Sequence, residues 1–146
     1  MADSQHCPLC SKPLPGELFR NTDWAVIDAA DPIFPGFTRV VWLDHIAEMT
    51  DLARNHQARL MDAVLTVESV MREVLNPHKV NLASLGNQVP HLHWHIIPRW
   101  SDDAAFPASV WTPGQDTDAA KRRRNQVEGA LKDYHQALVK RLTSST

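Results

Sequence analysis

The sequence predicts an α+β fold, a small antiparallel sheet with one long helix packed on it and a second helix at the C-terminus. Three observations carry this. Residues 91–97, His-Leu-His-Trp-His-Ile-Ile, alternate imidazoles with apolar side chains, which is the period of a half-buried strand. Residues from about 50 to 76 place apolar side chains at three- and four-residue steps, which is the period of an amphipathic helix. Short runs rich in Val, Ile and Trp, bounded by Gly, Pro and Asp, supply the remaining strands. With 146 residues and 43% hydrophobic content, the chain is expected to form a single domain with a proper core over residues 1–146.

Residues 6–16 are rich in proline and read as irregular. They contain Cys7 and Cys10, a C-x-x-C pair whose spacing lets two thiolates share one zinc ion. A tetrahedral site needs two further ligands, and no second C-x-x-C exists. Residues 23–28 and 37–43 read as strands separated by a Pro-Gly loop. Asp28 closes the first of these strands and Asp31 lies in the loop. Thr50 or Asp51 is placed to cap the long helix. Leu60, Val64, Val67, Met71 and Val74 form its buried stripe, and Asn76-Pro77 ends it. His56 lies on this helix and is expected to face solvent. Residues 79–85 read as the strand before the histidine strand, with Gly86 turning the chain into an antiparallel hairpin. Pro98 is expected to end the histidine strand. Residues 101–118 read as a loop with Phe106 and Trp111 as anchors, able to wrap a dimer partner or line a cleft. A C-terminal helix is expected from about 118 to 142, with Val127, Leu131, Tyr134 and Leu138 on one stripe.

The chemistry concentrates at 86–99. Alternation along a strand puts His91, His93 and His95 on one face and Leu92, Trp94 and Ile96 on the other. On a helix the same imidazoles would spread over about 200° and could not act together. An unperturbed imidazole, with a pKa of about 6.5, is a competent nucleophile at neutral pH once a neighbour fixes its tautomer. The turn upstream offers backbone N–H groups and the Asn87 and Gln88 amides, donors suited to an anion carrying developing charge. This combination points to phosphoryl or nucleotidyl transfer. Two other classes stay open, a catalytic metal held by the paired histidines and a nucleotide-binding module with little turnover.

The run His91-Leu92-His93-Trp94-His95-Ile96-Ile97 matches His-φ-His-φ-His-φ-φ, with φ apolar, and the chain resembles the histidine-triad (HIT) superfamily of nucleotide hydrolases and transferases. The flanking Gly86-Asn87-Gln88-Val89 and Pro98-Arg99 are similar to its bacterial and diadenosine polyphosphate hydrolase-like branches. The resemblance implies that His93 attacks the α-phosphorus of a dinucleoside polyphosphate or nucleoside phosphoramidate and forms a nucleotidyl-histidine. It implies that His91 or a backbone carbonyl orients His93 and that His95 donates a hydrogen bond to phosphate or leaving group. Gln88, Asn87 and Asn81 would hold phosphate oxygens. Asp28, with Asp31 as second candidate, would bind the ribose, unless these are turn aspartates. In zinc-bearing relatives the matching positions, Cys7, Cys10, His45 and His91, hold one structural zinc. Gln88 departs from the commoner Ser or Thr and leaves the leaving-group preference open. No cofactor is needed for the chemistry, although a polyphosphate substrate can bring Mg²⁺ with it. The family usually forms homodimers.

A net charge of −2 provides no field for bulk nucleic-acid or membrane binding, and Lys121-Arg122-Arg123-Arg124 reads as a solvated helix face. No apolar run approaches membrane-spanning length, and residues 1–6 lack signal-peptide features, so a cytoplasmic location is expected.

Overall fold

The computed structural model describes residues 4–145; residues 1–3 of the stretch read for targeting signals lie outside them. Five strands alternate with two helices among those residues: β1 (Glu17–Arg20), β2 (Trp24–Asp28), β3 (Thr38–Trp42), α1 (Arg54–Leu75), β4 (Lys79–Ala83), β5 (His93–Arg99) and α2 (Asp118–Ser145). The strands form one antiparallel sheet in the order β1-β2-β3-β5-β4, as expected of the α+β class.

Side-chain alternation gives the sheet two different faces. Trp24, Val26, Val40, Trp42, Leu92 and Ile96 point towards the helices and are buried. Against them α1 sets Leu60, Ala63, Val64, Val67, Val70, Met71 and Leu75, with Val74 at the margin of this stripe. Helix α2 adds Val127, Tyr134, Leu138 and Leu142 to the same core. Tyr134 O–H donates to Thr38 Oγ1 (2.8 Å), which donates on to the Gly36 carbonyl (2.8 Å), so this buried phenol is satisfied. The opposite face carries Ala25, Ile27, Arg39, Val41, His93, His95, Ile97 and Arg99, and it is this face that the site occupies. No helix among the described residues is long and apolar enough to cross a membrane.

Several boundaries differ from the sequence expectation, each for a local reason. Strand β1 is additional. Neither Thr50 nor Asp51 caps α1: a 3-10 turn at Met49–Asp51 intervenes, closed by reciprocal Glu48 and Asp51 side-chain bonds, and α1 starts after Ala53. Asn76 ends α1 in the left-handed conformation (φ 48°), since Pro77 disfavours a helical residue before it. Pro98 lies inside β5, opposite Val80, rather than ending it. The β3 ladder has already stopped at Thr38–Ile96, so a residue without N–H is tolerated there. His56 is half-buried, its ring 5.2 Å from that of Trp42. Of the basic run, Arg123 holds Asp102 (2.9 Å) and lies over Trp100, and Arg124 pairs with Asp116; both tie α2 to the preceding loop.

Residue Arg99 anchors that loop from the end of β5. Its side chain is almost fully buried between the rings of Phe34 and Phe106. It donates to both oxygens of Asp103 (2.8 and 3.0 Å), to Asn81 Oδ1 (2.9 Å) and to the Ala108 carbonyl (2.8 Å). Asp103 in turn accepts from the Trp100, Ala105 and Phe106 amides.

Candidate active site

Residues 84–92 do not form a tight hairpin. They make a long connection from β4 to β5, and Pro90, without an N–H, helps to keep it out of the ladder. Its Gly86–Val89 portion curls over the site face and encloses a cleft of about 570 Å³. His93, His95, Arg39 and Asp28 line the cleft with Asn87 and Gln88, and Trp111 reaches in from the 100–117 loop. The facing wall is the Pro8–Gly16 segment. There Gly16 (φ +74°) passes so close to β2 that a Cβ would lie 2.3 Å from the Asp28 carbonyl oxygen, which requires glycine.

His93 and His95 share the site face, their ring centroids 4.8 Å apart. His93 Nδ1 donates to the His91 carbonyl (2.5 Å), which fixes the tautomer and leaves Nε2 as the basic nitrogen. Burial lowers the His93 pKa below its ordinary value, the His91 carbonyl opposes this, and the Arg39 charge adds to it. Burial, then His93 and Arg39, push His95 down to about 4. Both rings are therefore neutral at pH 7. Arg39 Nε points at His95 Nδ1 (3.4 Å), so neutral His95 carries its proton on Nε2. The Trp111 ring stands edge-on to His95 at 5.1 Å and to Phe37 at 6.3 Å.

His91 parts company with the other two. It precedes β5, is fully buried and does not line the cleft. Its Nε2 donates to the Trp42 carbonyl (2.6 Å), and its Nδ1 faces Cys7 Sγ (3.4 Å), Cys10 Sγ (3.5 Å) and His45 Nδ1 (3.2 Å). Of the two groups expected to orient His93, the His91 ring or a backbone carbonyl, the one in contact is the carbonyl of His91 itself, and the His91 ring belongs to a second cluster. Cys10 Sγ lies 3.3 Å from His45 Nδ1, and the four ligand atoms all fall within 4.8 Å of one another. A tetrahedron with Zn–S of about 2.3 Å and Zn–N of about 2.0 Å has edges of roughly 3.3–3.8 Å, and the separations of 3.2–3.5 Å among His91, His45, Cys10 and from Cys7 to His91 lie close to it. Burial, with Cys7 alongside, pushes the Cys10 thiol up to about 11 against the opposing Lys12 charge, and a bound cation would favour its thiolate. Cys7, Cys10, His45 and His91 can therefore hold a metal ion.

The binding residues divide. Asp28, Asn87 and Gln88 line the cleft, and Asp28 Oδ1 also accepts from the Ala30 amide (2.9 Å). Asp31 is a turn aspartate, accepting from the Ile33 and Phe34 amides (both 2.9 Å). Asn81 does not line the cleft; its Oδ1 is taken by Arg99, so geometry gives no support to a phosphate contact there. Sequence reasoning passed over Arg39. Its signal lay in the alternation of residues 37–43, but only the register, which pairs Arg39 with His95 across the ladder, reveals it.

The chain is 33% identical over 81 residues to a protein from Mycobacterium tuberculosis named AP-4-A phosphorylase, covering 51% of this chain and 42% of that protein. It is 31% identical over 77 residues to the asymmetrical bis(5'-nucleosyl)-tetraphosphatase of Schizosaccharomyces pombe, covering 49% and 42%. The match thus spans about two fifths of the length of these curated relatives. The fold is similar to that of a histidine triad protein from Bradyrhizobium japonicum, with a TM-score of 0.68 and 28% identity over 90% of this chain and 94% of that one. The HIT domain family model matches residues 17–102, which take in every strand of the sheet, α1 and all three histidines of the triad, and on that match the chain belongs to the HIT family.

Proposed function

We propose that the chain is a nucleotide hydrolase or nucleotidyl transferase acting at the α-phosphate of a dinucleoside polyphosphate or nucleoside phosphoramidate. The observation that carries this reading is the His93 ring, neutral, lining the cleft and held through Nδ1 by the His91 carbonyl. Nε2 attacks the α-phosphorus, an N–P bond forms, and the bond to the leaving group breaks with its electron pair going to the departing atom. His95 Nε2–H hydrogen-bonds to that atom or to the phosphate. Gln88, with the Asn87 backbone and amide, steadies non-bridging oxygens, and Asp28 takes the ribose hydroxyls. Water then attacks phosphorus, the N–P bond breaks, and a nucleoside monophosphate leaves with His93 neutral again. Mg²⁺ accompanying a polyphosphate would neutralise part of its charge.

The reading is tested by nucleoside monophosphate release from diadenosine tri- and tetraphosphate and adenosine 5'-phosphoramidate. Release from at least one is expected. Tight nucleotide binding without product would replace the reading with a binding module, and activity that survives complete metal removal would exclude a metal-dependent hydrolase.

The pH profile follows from the neutral nucleophile. Protonating His93 blocks attack, so kcat/KM falls as pH drops through its pKa in the free enzyme. Burial sets that pKa below 6.5, so the acidic limb should lie below 6.5. A rate profile that already declines above 6.5 would contradict the assignment.

The metal at the second cluster is proposed to be zinc, since two thiolates and two imidazoles make a closed structural set. Zinc there would link the Pro8–Gly16 wall to the β3–α1 loop and to the residue whose carbonyl holds His93. Cys10→Ser is expected to remove bound zinc and to cost about 2–3 kcal/mol, or roughly 5–10 °C in Tm. Metal analysis by mass spectrometry with a thermal melt checks this; an unchanged melt would rule out a structural role. The unpaired edge of β4, with Leu82 exposed, supports the homodimer implied by the family resemblance.

A further inference from the structure

Resting on the function proposed above, we propose that Arg39 binds negative charge on the leaving group, so that the cleft selects polyphosphate leaving groups over uncharged ones. The ladder places Arg39 opposite His95, and alternation turns both side chains into the cleft. His93 pairs one step along, opposite Val41. Arg39 therefore lies on the His95 side of the nucleophile, roughly 7 Å further along the strand. In-line attack by His93 sends the leaving group away from His93, towards the residue that hydrogen-bonds to it, and Arg39 stands beside that residue.

The charge balance makes the same point. Among the described residues, Arg39 is the one arginine that is neither exposed nor paired with a carboxylate. Arg99, on the same face, shows how this chain satisfies a buried guanidinium, with Asp103, Asn81 and a carbonyl. Arg39 has the long Nε contact to His95 and the Phe37 ring 5.3 Å away. Asp31 is the carboxylate whose field it feels, and one Asp31 oxygen is committed to two amides. A partly desolvated cation without a carboxylate in direct contact is costly, and a bound anion offsets that cost. Two Nη groups beside an open cleft give the planar fork that matches phosphate oxygens. An ammonia leaving group offers this fork nothing, whereas a nucleoside triphosphate offers several anionic oxygens.

A competing role is that Arg39 serves only to orient His95, in which case every substrate would suffer alike. The experiment compares wild type, Arg39→Met and Arg39→Lys on diadenosine tetraphosphate and adenosine 5'-phosphoramidate. The ratio of kcat/KM for the tetraphosphate to that for the phosphoramidate should fall about 30- to 100-fold in Arg39→Met and recover in part in Arg39→Lys. An unchanged ratio, with both substrates losing equally, would overturn the proposal. Calorimetric binding of inorganic triphosphate provides an arm independent of turnover. Wild type should bind it and Arg39→Met at least about 10-fold more weakly; equal or absent binding would overturn the proposal. If wild type cleaves neither nucleotide, the function proposed above is lost, and the triphosphate arm alone decides whether Arg39 is an anion site.

Discussion

His93→Ala should remove nucleotide turnover, by on the order of 10⁴-fold or more in kcat, while the protein stays folded. The substitution takes away the basic nitrogen that the His91 carbonyl presents to the cleft. No other described group stands ready to replace it. His95 is neutral, but Arg39 occupies its Nδ1 and its proton sits on Nε2, the nitrogen that would otherwise attack. The structural cost is small by comparison. One hydrogen bond is lost at the margin of a cleft that water can enter, worth about 1 kcal/mol. Circular dichroism should overlay that of wild type, with Tm within a few degrees. A His93→Ala protein that keeps even a tenth of wild-type kcat would end the nucleophile assignment.

The largest stability effect is expected at Asp103→Ala. Burial opposes ionisation of this carboxyl. Arg99 and the Ala105, Phe106 and Trp100 amides outweigh burial and hold its pKa below the ordinary carboxylate value. Removing it strands the almost fully buried Arg99 guanidinium and three backbone N–H groups at once. Breaking a buried pair from one side costs about 3–5 kcal/mol, roughly 10–15 °C for a chain of this size. The sign of the linkage is that of a depressed acid. The stabilisation is present above the unfolded value of about 3.9 and is lost as pH falls through the folded value. Thermal melts of wild type and variant at neutral pH measure the effect, and a loss under about 2 °C would mean that the loop finds another anchor. Because the same loop carries Trp111 to the cleft, turnover should fall as well.

What could be read from the chain depended on whether its cause was local. The histidine strand and α1 announce themselves because periods of two and of 3.6 are properties of consecutive residues. Strand β1 does not. Glu17 to Arg20 alternates nothing decisive and follows Pro13, Pro15 and Gly16; pairing with β2, Phe19 opposite Val26, is what makes it a strand. His93 was legible by position within its motif. The service of His91 was not, because the atom that holds His93 is a backbone carbonyl, while the ring turns away to Cys7, Cys10 and His45. Cys7 and Cys10 were legible as a pair from their C-x-x-C spacing, but His45 and His91 as their partners were traceable only through family resemblance, since the folding of three distant segments brings the four together. Arg39 escaped for the opposite reason. An arginine between Thr38 and Val40 on a strand reads as a solvent-facing residue until the partner strand's register is known.

The interleaving of His93, Trp94, His95 and Ile96 along β5 has a further consequence. Slipping this strand by one residue would drive two imidazoles into the helix-packed core and lift an indole and a butyl side chain into the cleft. Such a molecule has no well-packed interior and cannot persist as a folded species. Quality control of the interior and assembly of the reactive centre are therefore one event. If the proposed activity holds, a compact misthreaded population is not expected to accumulate, and specific activity should track the folded fraction.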